Sequence, residues 1–403
     1  MTAARHALNL HQTAIAVAAC ARAGHVPIVF GPPGIAKTTM MRALAPIIGR
    51  ALGLDEYPVE DCILSNRESV DVGGYPIVLN GAVELRLFGT LRRAAETPSL
   101  LFLDELTTCS PATQGPALRV VRERVAGEIP LHPLTRVVCA ANDPEHAPSG
   151  IQLTAPLVNR LVVLHCRPDV DEVAMYFCDE PGAALDGAIT LPDDELWQHR
   201  RTLLRVTAGT LFRTRPDLLV LDAPPEDAIH NGAPFSSPRA WDMCCDVLAA
   251  LPEGVGHADP ITRAVVLGTL GDVGMAFMSL IRARAHLPTV EQVLVAPDNC
   301  PLPDPEKAVI DTLTGQSVKL GRDAIFAVIG LAMEAARQDS WAVWVYIDRC
   351  PYPEVKAAIA RALTDRSYVD PKRHPKGSPW YRKGQTIMLD TGDALVAGAS
   401  GGN

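Results

Sequence analysis

Lys37 and Thr38 close the octapeptide Gly31-Pro32-Pro33-Gly34-Ile35-Ala36-Lys37-Thr38, whose composition suits a phosphate-binding loop. It follows the apolar run Val26-Pro27-Ile28-Val29-Phe30 and leads into a helix-forming stretch from Lys37 to Ile48. Backbone N–H groups of such a loop converge on phosphate oxygens at a helix N-terminus. In the P-loop pattern the Lys37 position reaches the β- and γ-phosphates as a point charge and the Thr38 hydroxyl ligates Mg²⁺, with Thr39 next in the cradle. Ala36 stands where that pattern has its second Gly. A methyl group is the smallest addition at a position that needs close backbone approach, so the match is weakened and not broken.

A phosphate cradle needs a metal-holding acid at the end of a neighbouring strand. Leu100-Leu101-Phe102-Leu103-Asp104-Glu105 has the form of a buried strand ending in two carboxylates. Asp104 is the candidate for holding Mg²⁺. Glu105, pointing differently one residue on, is the candidate base for the water that attacks the γ-phosphate. A third strand-like run, Arg136-Val137-Val138-Cys139-Ala140-Ala141, ends at Asn142, whose amide could orient that water or touch the phosphate.

With these motifs the chain resembles the AAA+ ATPases, over roughly residues 20 to 245. Asn142 matches their sensor 1. Pro156-Leu157-Val158-Asn159-Arg160-Leu161 resembles the segment with their arginine finger, Arg160, and Ser237-Pro238-Arg239 resembles sensor 2. The Ala-Lys-Thr loop ending, the Asp-Glu-Leu and the Ser-Pro-Arg look most like the MoxR branch. The resemblance implies an α/β P-loop NTPase fold with a five-stranded parallel sheet and hairpin insertions, then an α-helical lid and a helical C-terminal extension. It implies ATP with Mg²⁺, self-association into a ring, expected as a hexamer, and chaperone-like remodelling of a protein client. A partner bearing a von Willebrand factor A domain often belongs to that picture. In such a ring Lys37, Thr38, Asp104, Glu105, Asn142 and Arg239 act from one chain and Arg160 from the next.

At 403 residues, 48% hydrophobic and 21% charged, the chain is long enough for two or three globular domains. A net charge of −9 argues against duplex DNA as the default partner, because that binding draws on Lys and Arg neutralising phosphates. The ten cysteines show no Cys-x-x-Cys pair and read as reduced thiols of a cytoplasmic protein. Residues 13–23 superficially resemble a signal-peptide core; a helix ahead of the first strand is the better reading, since cleavage would leave that strand almost at the new terminus. The most apolar stretch, around 264–281, is interrupted by Asp272, so no membrane span is expected.

These residues require positioning elements. Strand-like runs near 26–30, 59–64, 100–104, 136–141 and 161–166 alternate with helical stretches, the pattern of a parallel sheet covered on both faces. Asn80-Gly81, flanked by alternating apolar residues within 73–85, signals a hairpin, and 124–137 is a second candidate. By the resemblance, these match insertions that face the ring centre and touch the client; covering the sheet is the alternative. Domains are expected at 1–170 (nucleotide-binding), 171–290 (helical lid) and 291–403 (mostly helical extension). Helical composition covers 195–212, 240–250, 261–285, 322–336 and 353–363. Near the end, 370–383 interleaves basic residues with Trp380 and Tyr381, which could stack on single-stranded nucleic acid, dock an acidic partner or be a solvated tail. Two rival functions follow: a nucleic-acid-stimulated motor or loader, and an ATP-binding scaffold with negligible turnover.

Overall fold

The computed structural model describes residues 7–143, 153–178, 189–220, 223–257, 259–284, 287–288, 290–302, 304, 308–310, 317–319, 331, 341–364 and 378–399. Two compact units result, Met1–Thr202 with Leu218–Met275, and Leu203–Asp217 with Ala276–Asn403.

In chain order the strands of the first unit are β1 (Val26–Phe30), β2 (Val59–Ile63), β3 (Tyr75–Leu79), β4 (Ala82–Arg86), β5 (Leu100–Asp104), β6 (Val125–Ala126), β7 (Ile129–Pro130), β8 (Arg136–Ala141) and β9 (Leu161–His165). Its helices begin α1 (Leu10–Ala23), α2 (Lys37–Ala51), α3 (Ser69–Gly73), α4 (Gly89–Glu96), α5 (Pro111–Glu123), α6 (Ala155–Val158) and α7 (Val170–Cys178). They continue with α8 (Asp194–Thr214), which crosses into the second unit, then α9 (Glu226–Asn231), α10 (Pro238–Ala249) and α11 (Pro260–Leu270).

Five strands form one sheet in the order β2-β5-β8-β1-β9, every pairing parallel. The central strands are near-continuous apolar runs because both of their faces are covered. One face meets a core that includes Leu91, Leu103, Val120, Val137 and Val158. Helix α1 starts with an Asn9–Gln12 capping box, and Thr13 through Arg22 are all buried, so it is a core helix and not a surface one. Helix α11 runs so close to β9 that a Cβ on Gly268 would lie 2.0 Å from the Val163 carbonyl oxygen. Together with the residues that follow, Pro260–Arg284 is long and apolar enough to cross a membrane, with mean hydropathy 1.8; its first half lies against β9.

Between β2 and β5 the chain makes the β3–β4 hairpin through Asn80 (φ 50°) and Gly81 (φ 80°), two left-handed residues as a type I′ turn demands. The second hairpin, β6–β7, is shorter than 124–137. Pro130 and Pro133 lack the N–H groups that would extend its ladder.

The second unit is built on Trp344, Tyr346, Leu363 and Trp380. Trp380 meets Trp344 edge-to-face at 5.2 Å and donates its indole N–H to the Leu363 carbonyl at 2.9 Å. Trp380 and Tyr381 are buried, which removes them as a stacking platform for bases. A small antiparallel ribbon, Ala308–Ile310 with Ser317–Lys319, adds strand to the extension expected to be mostly helical. The helix expected over 322–336, except Leu331, and residues 370–377 of the basic stretch lie outside the described residues.

Candidate functional site

Strand β1 delivers the chain into the loop Gly31–Ala36, and α2 begins at Lys37. A Cβ on Gly31 would come within 2.9 Å of the Cys166 carbonyl oxygen, so only glycine lets the loop leave the sheet here. Gly34 (φ 83°) and Ala36 (φ 63°) are both left-handed. Ala36 therefore occupies a conformation that favours glycine, a strain of about 1 kcal/mol. It offers no capping side chain to α2, so the first N–H groups of that helix keep their capacity for an anion.

Lys37 is buried, and its ammonium donates to the carbonyl oxygens of Gly31 (2.9 Å) and Pro32 (3.2 Å) and to Asn142 Oδ1 (3.2 Å). Burial lowers its pKa, against the opposing charges of Asp104, Cys166, Asp143 and Glu105. Asp104 ends β5, and burial pushes its carboxyl upward; the Glu105 N–H, which it accepts at 2.8 Å, and Lys37 pull the other way. Thus β1, β5 and β8, neighbours in the sheet, bring Lys37, Asp104 and Asn142 to one edge. Glu105 adopts φ 59°, a left-handed conformation costly for a non-glycine residue and common at functional sites. Its carboxylate accepts a hydrogen bond from the Ser65 hydroxyl.

Ser65 was not among the sequence candidates. Its signal is positional: the turn Leu64–Asn66 follows β2 directly, and β2 pairs with β5 so that Ile63 faces Asp104. Asp143 was missed too. It is buried, accepts from Arg167 Nη1 at 2.6 Å and has His165 Nδ1 at 3.9 Å. Burial raises its carboxyl, but His165 and Arg167 outweigh that and hold it below the usual range. The ring of His165 stacks on Phe30 at 5.6 Å.

Arg160 and Arg239 form a separate group. Arg160 follows α6 and donates Nη1 to the Pro156 carbonyl at 2.6 Å. Burial lowers its pKa and the charges of Arg239 and Arg122 lower it further, against the opposing charge of Glu123. Ser237 caps α10 and donates to Asn159 Oδ1 at 2.5 Å, which ties the start of α10 to the residue beside Arg160. Among the described residues no hydrogen bond or ion pair joins these arginines to Lys37, Asp104 or Asn142.

The residues present suit Mg²⁺. Asp104 is a half-buried carboxylate with no ion pair among the described residues, and Thr38, in the first turn of α2, adds a hard oxygen donor.

Residues 27–157 match the model of the ATPase family associated with various cellular activities, AAA. The chain therefore carries an AAA ATPase family domain, a nucleotide-binding ATP hydrolase on a P-loop α/β fold. The match covers the loop, Asp104, Glu105 and Asn142 and stops short of Arg160 and Arg239. A crystal structure of a candidate ATPase from Cytophaga hutchinsonii is similar at 15% identity and TM-score 0.39, covering 66% of this chain and 83% of that one. No curated protein matches the chain.

Proposed function

We propose that the chain is a MoxR-like AAA+ ATPase that assembles into a ring, expected as a hexamer, and spends ATP hydrolysis on remodelling a protein client. In this reading the loop 31–39 holds ATP, with Lys37 on the β- and γ-phosphates, Thr38 and Asp104 on Mg²⁺, Glu105 as base and Asn142 beside the γ-phosphate. The observation that carries the ring is a difference in partners: Lys37 bonds Asn142 beside Asp104, while neither Arg160 nor Arg239 bonds any of these three among the described residues. Arg239 is expected to act on its own subunit's nucleotide, and the Ser237–Asn159 hydrogen bond at 2.5 Å ties the start of its helix to the residue beside Arg160.

Residues 1–170 are the nucleotide-binding domain, 171–290 the lid and 291–403 an extension. The β3–β4 hairpin is the client-facing insertion, its exposed Val78 and Val83 directly opposite each other. Ten free thiols, nine of them buried, favour a reducing, cytoplasmic setting. A partner with a von Willebrand factor A domain remains part of the reading. The nucleic-acid motor loses its main support with the burial of Trp380 and Tyr381.

Subunit mixing tests the ring. An arginine finger contributes about 10³–10⁵ in rate in other nucleotidases. Arg160→Ala chains should bind ATP, fail to hydrolyse it, and regain turnover when mixed with Lys37→Ala chains, because some interfaces then pair an intact loop with an intact finger. Mixed rings, seen by native mass spectrometry, that stay inactive would remove the inter-subunit role.

A further inference from the structure

One residue beyond Asn142 begins a charged cluster that no motif singles out: Asp143, His165 and Arg167. In the sheet β1 lies between β8 and β9, with Phe30 paired to Ala141 on one side and to His165 on the other. Asp143 stands two residues beyond Ala141 and Arg167 two beyond His165. Their ion pair, at 2.6 Å, therefore spans the point where the chain leaves β1 for the phosphate loop. Both ends of the pair are fixed. The Asp143 carboxylate is buried, with His165 Nδ1 3.9 Å away on a ring that stacks on Phe30. The Arg167 N–H donates to the Leu8 carbonyl at 2.8 Å, the Leu8 N–H to the His165 carbonyl at 2.8 Å and the Cys166 N–H to the Phe30 carbonyl at 2.7 Å. Arg167 Nη1 also donates to the Cys166 carbonyl at 3.2 Å.

Asn142 lies between this anchor and the end of β8, where the Ala141 carbonyl accepts the Gly31 N–H at 3.3 Å. Its own amide is held at Oδ1 by the Lys37 ammonium, 3.2 Å away. In the reading above Lys37 turns to the β- and γ-phosphates once ATP is held, and that hydrogen bond no longer fixes the amide. What persists is the support on either side, the ladder at Ala141 and the ion pair at Asp143. A working side chain has to be held within about 0.5 Å of its productive place by such supporting groups. We propose that Asp143 and Arg167 are positioning residues for Asn142, keeping the strand-end amide on the γ-phosphate while the nucleotide engages Lys37. The inference rests on the place given to Asn142 above.

Arg167→Met keeps an unbranched stem and removes the guanidinium. It strands the buried Asp143 charge, so Asp143→Asn/Arg167→Met, which carries neither charge, is measured beside it as the variant that folds without that penalty. Both should bind ATP within about threefold of the wild-type affinity while turnover falls by about tenfold to a hundredfold, since a misplacement of about 1 Å can cost that much. A merely structural pair would lower the melting temperature without this split between binding and turnover. Arg167→Lys, which keeps a cation without the fork, should retain part of the turnover. In an Asn142→Ala background Arg167→Met should cost nothing further, because the group it positions is gone. Wild-type turnover in either folded variant overturns the inference, and so does a loss that persists undiminished in the Asn142→Ala background; both outcomes leave the place of Asn142 standing. Wild-type turnover in Asn142→Ala itself would remove Asn142 from the reaction and this inference with it.

Discussion

The phosphate edge of the sheet and the arginine face meet their electrostatic needs in opposite ways. At the phosphate edge the chain is nearly self-sufficient: the Lys37 ammonium finds two carbonyls and the Asn142 amide, and Asp104 accepts the Glu105 N–H. Burial there lowers the Lys37 pKa and raises that of Asp104, because desolvation penalises the charged form of each. On the arginine face Arg160 has only the Pro156 carbonyl, and its neighbours Arg239 and Arg122 repel it. One region is a socket that suits an anion; the other is a set of positive charges, and on the proposed ring reading the two would be complementary halves of one arrangement.

Three substitutions can break or sharpen this contrast. The largest effect belongs to Glu105→Gln, which keeps the socket and removes the base: nucleotide binding should persist while turnover drops about 10²–10⁴-fold, the range for general acid–base catalysis. Single-turnover hydrolysis at the wild-type rate would take the base role away from Glu105. Lys37→Ala should act on binding itself. Removing the charged partner of a desolvated phosphate costs about 2–5 kcal/mol, or roughly thirtyfold and upward in affinity. Calorimetric titration showing unchanged affinity for ATP would mean that the loop's N–H groups suffice alone. The smallest effect is Ala36→Gly, which relieves the left-handed alanine and should raise stability against urea by about 1 kcal/mol with nucleotide affinity retained. A lower midpoint would show that the methyl group is tolerated at no cost.

Four of the strands were legible because short apolar runs followed by turn-forming residues can be little else in an alternating α/β chain; β2 carries Glu60 and Asp61, yet all five lie within a residue of where they were read. Asn80-Gly81 was equally plain, since its turn type is local chemistry. The shorter second hairpin and the burial of Trp380 and Tyr381 were not, because a basic residue beside an aromatic one does not reveal which of them faces a core. Residues 372–383 could read in one dimension as a base-stacking strip, a docking site for an acidic partner or a solvated tail; in the fold Trp380 fills the space beside Trp344.

By itself the sequence determined the chemistry of the loop, the two carboxylates and the strand-end amide, because each depends on residue type at short spacing within one strand–turn–helix unit. Only the tertiary structure decided that Ser65 reaches Glu105, that Arg167 and His165 restrain Asp143, and that Ser237 meets Asn159. Those juxtapositions come from sheet order and from helix packing across 22 to 78 positions of chain, which no local pattern encodes.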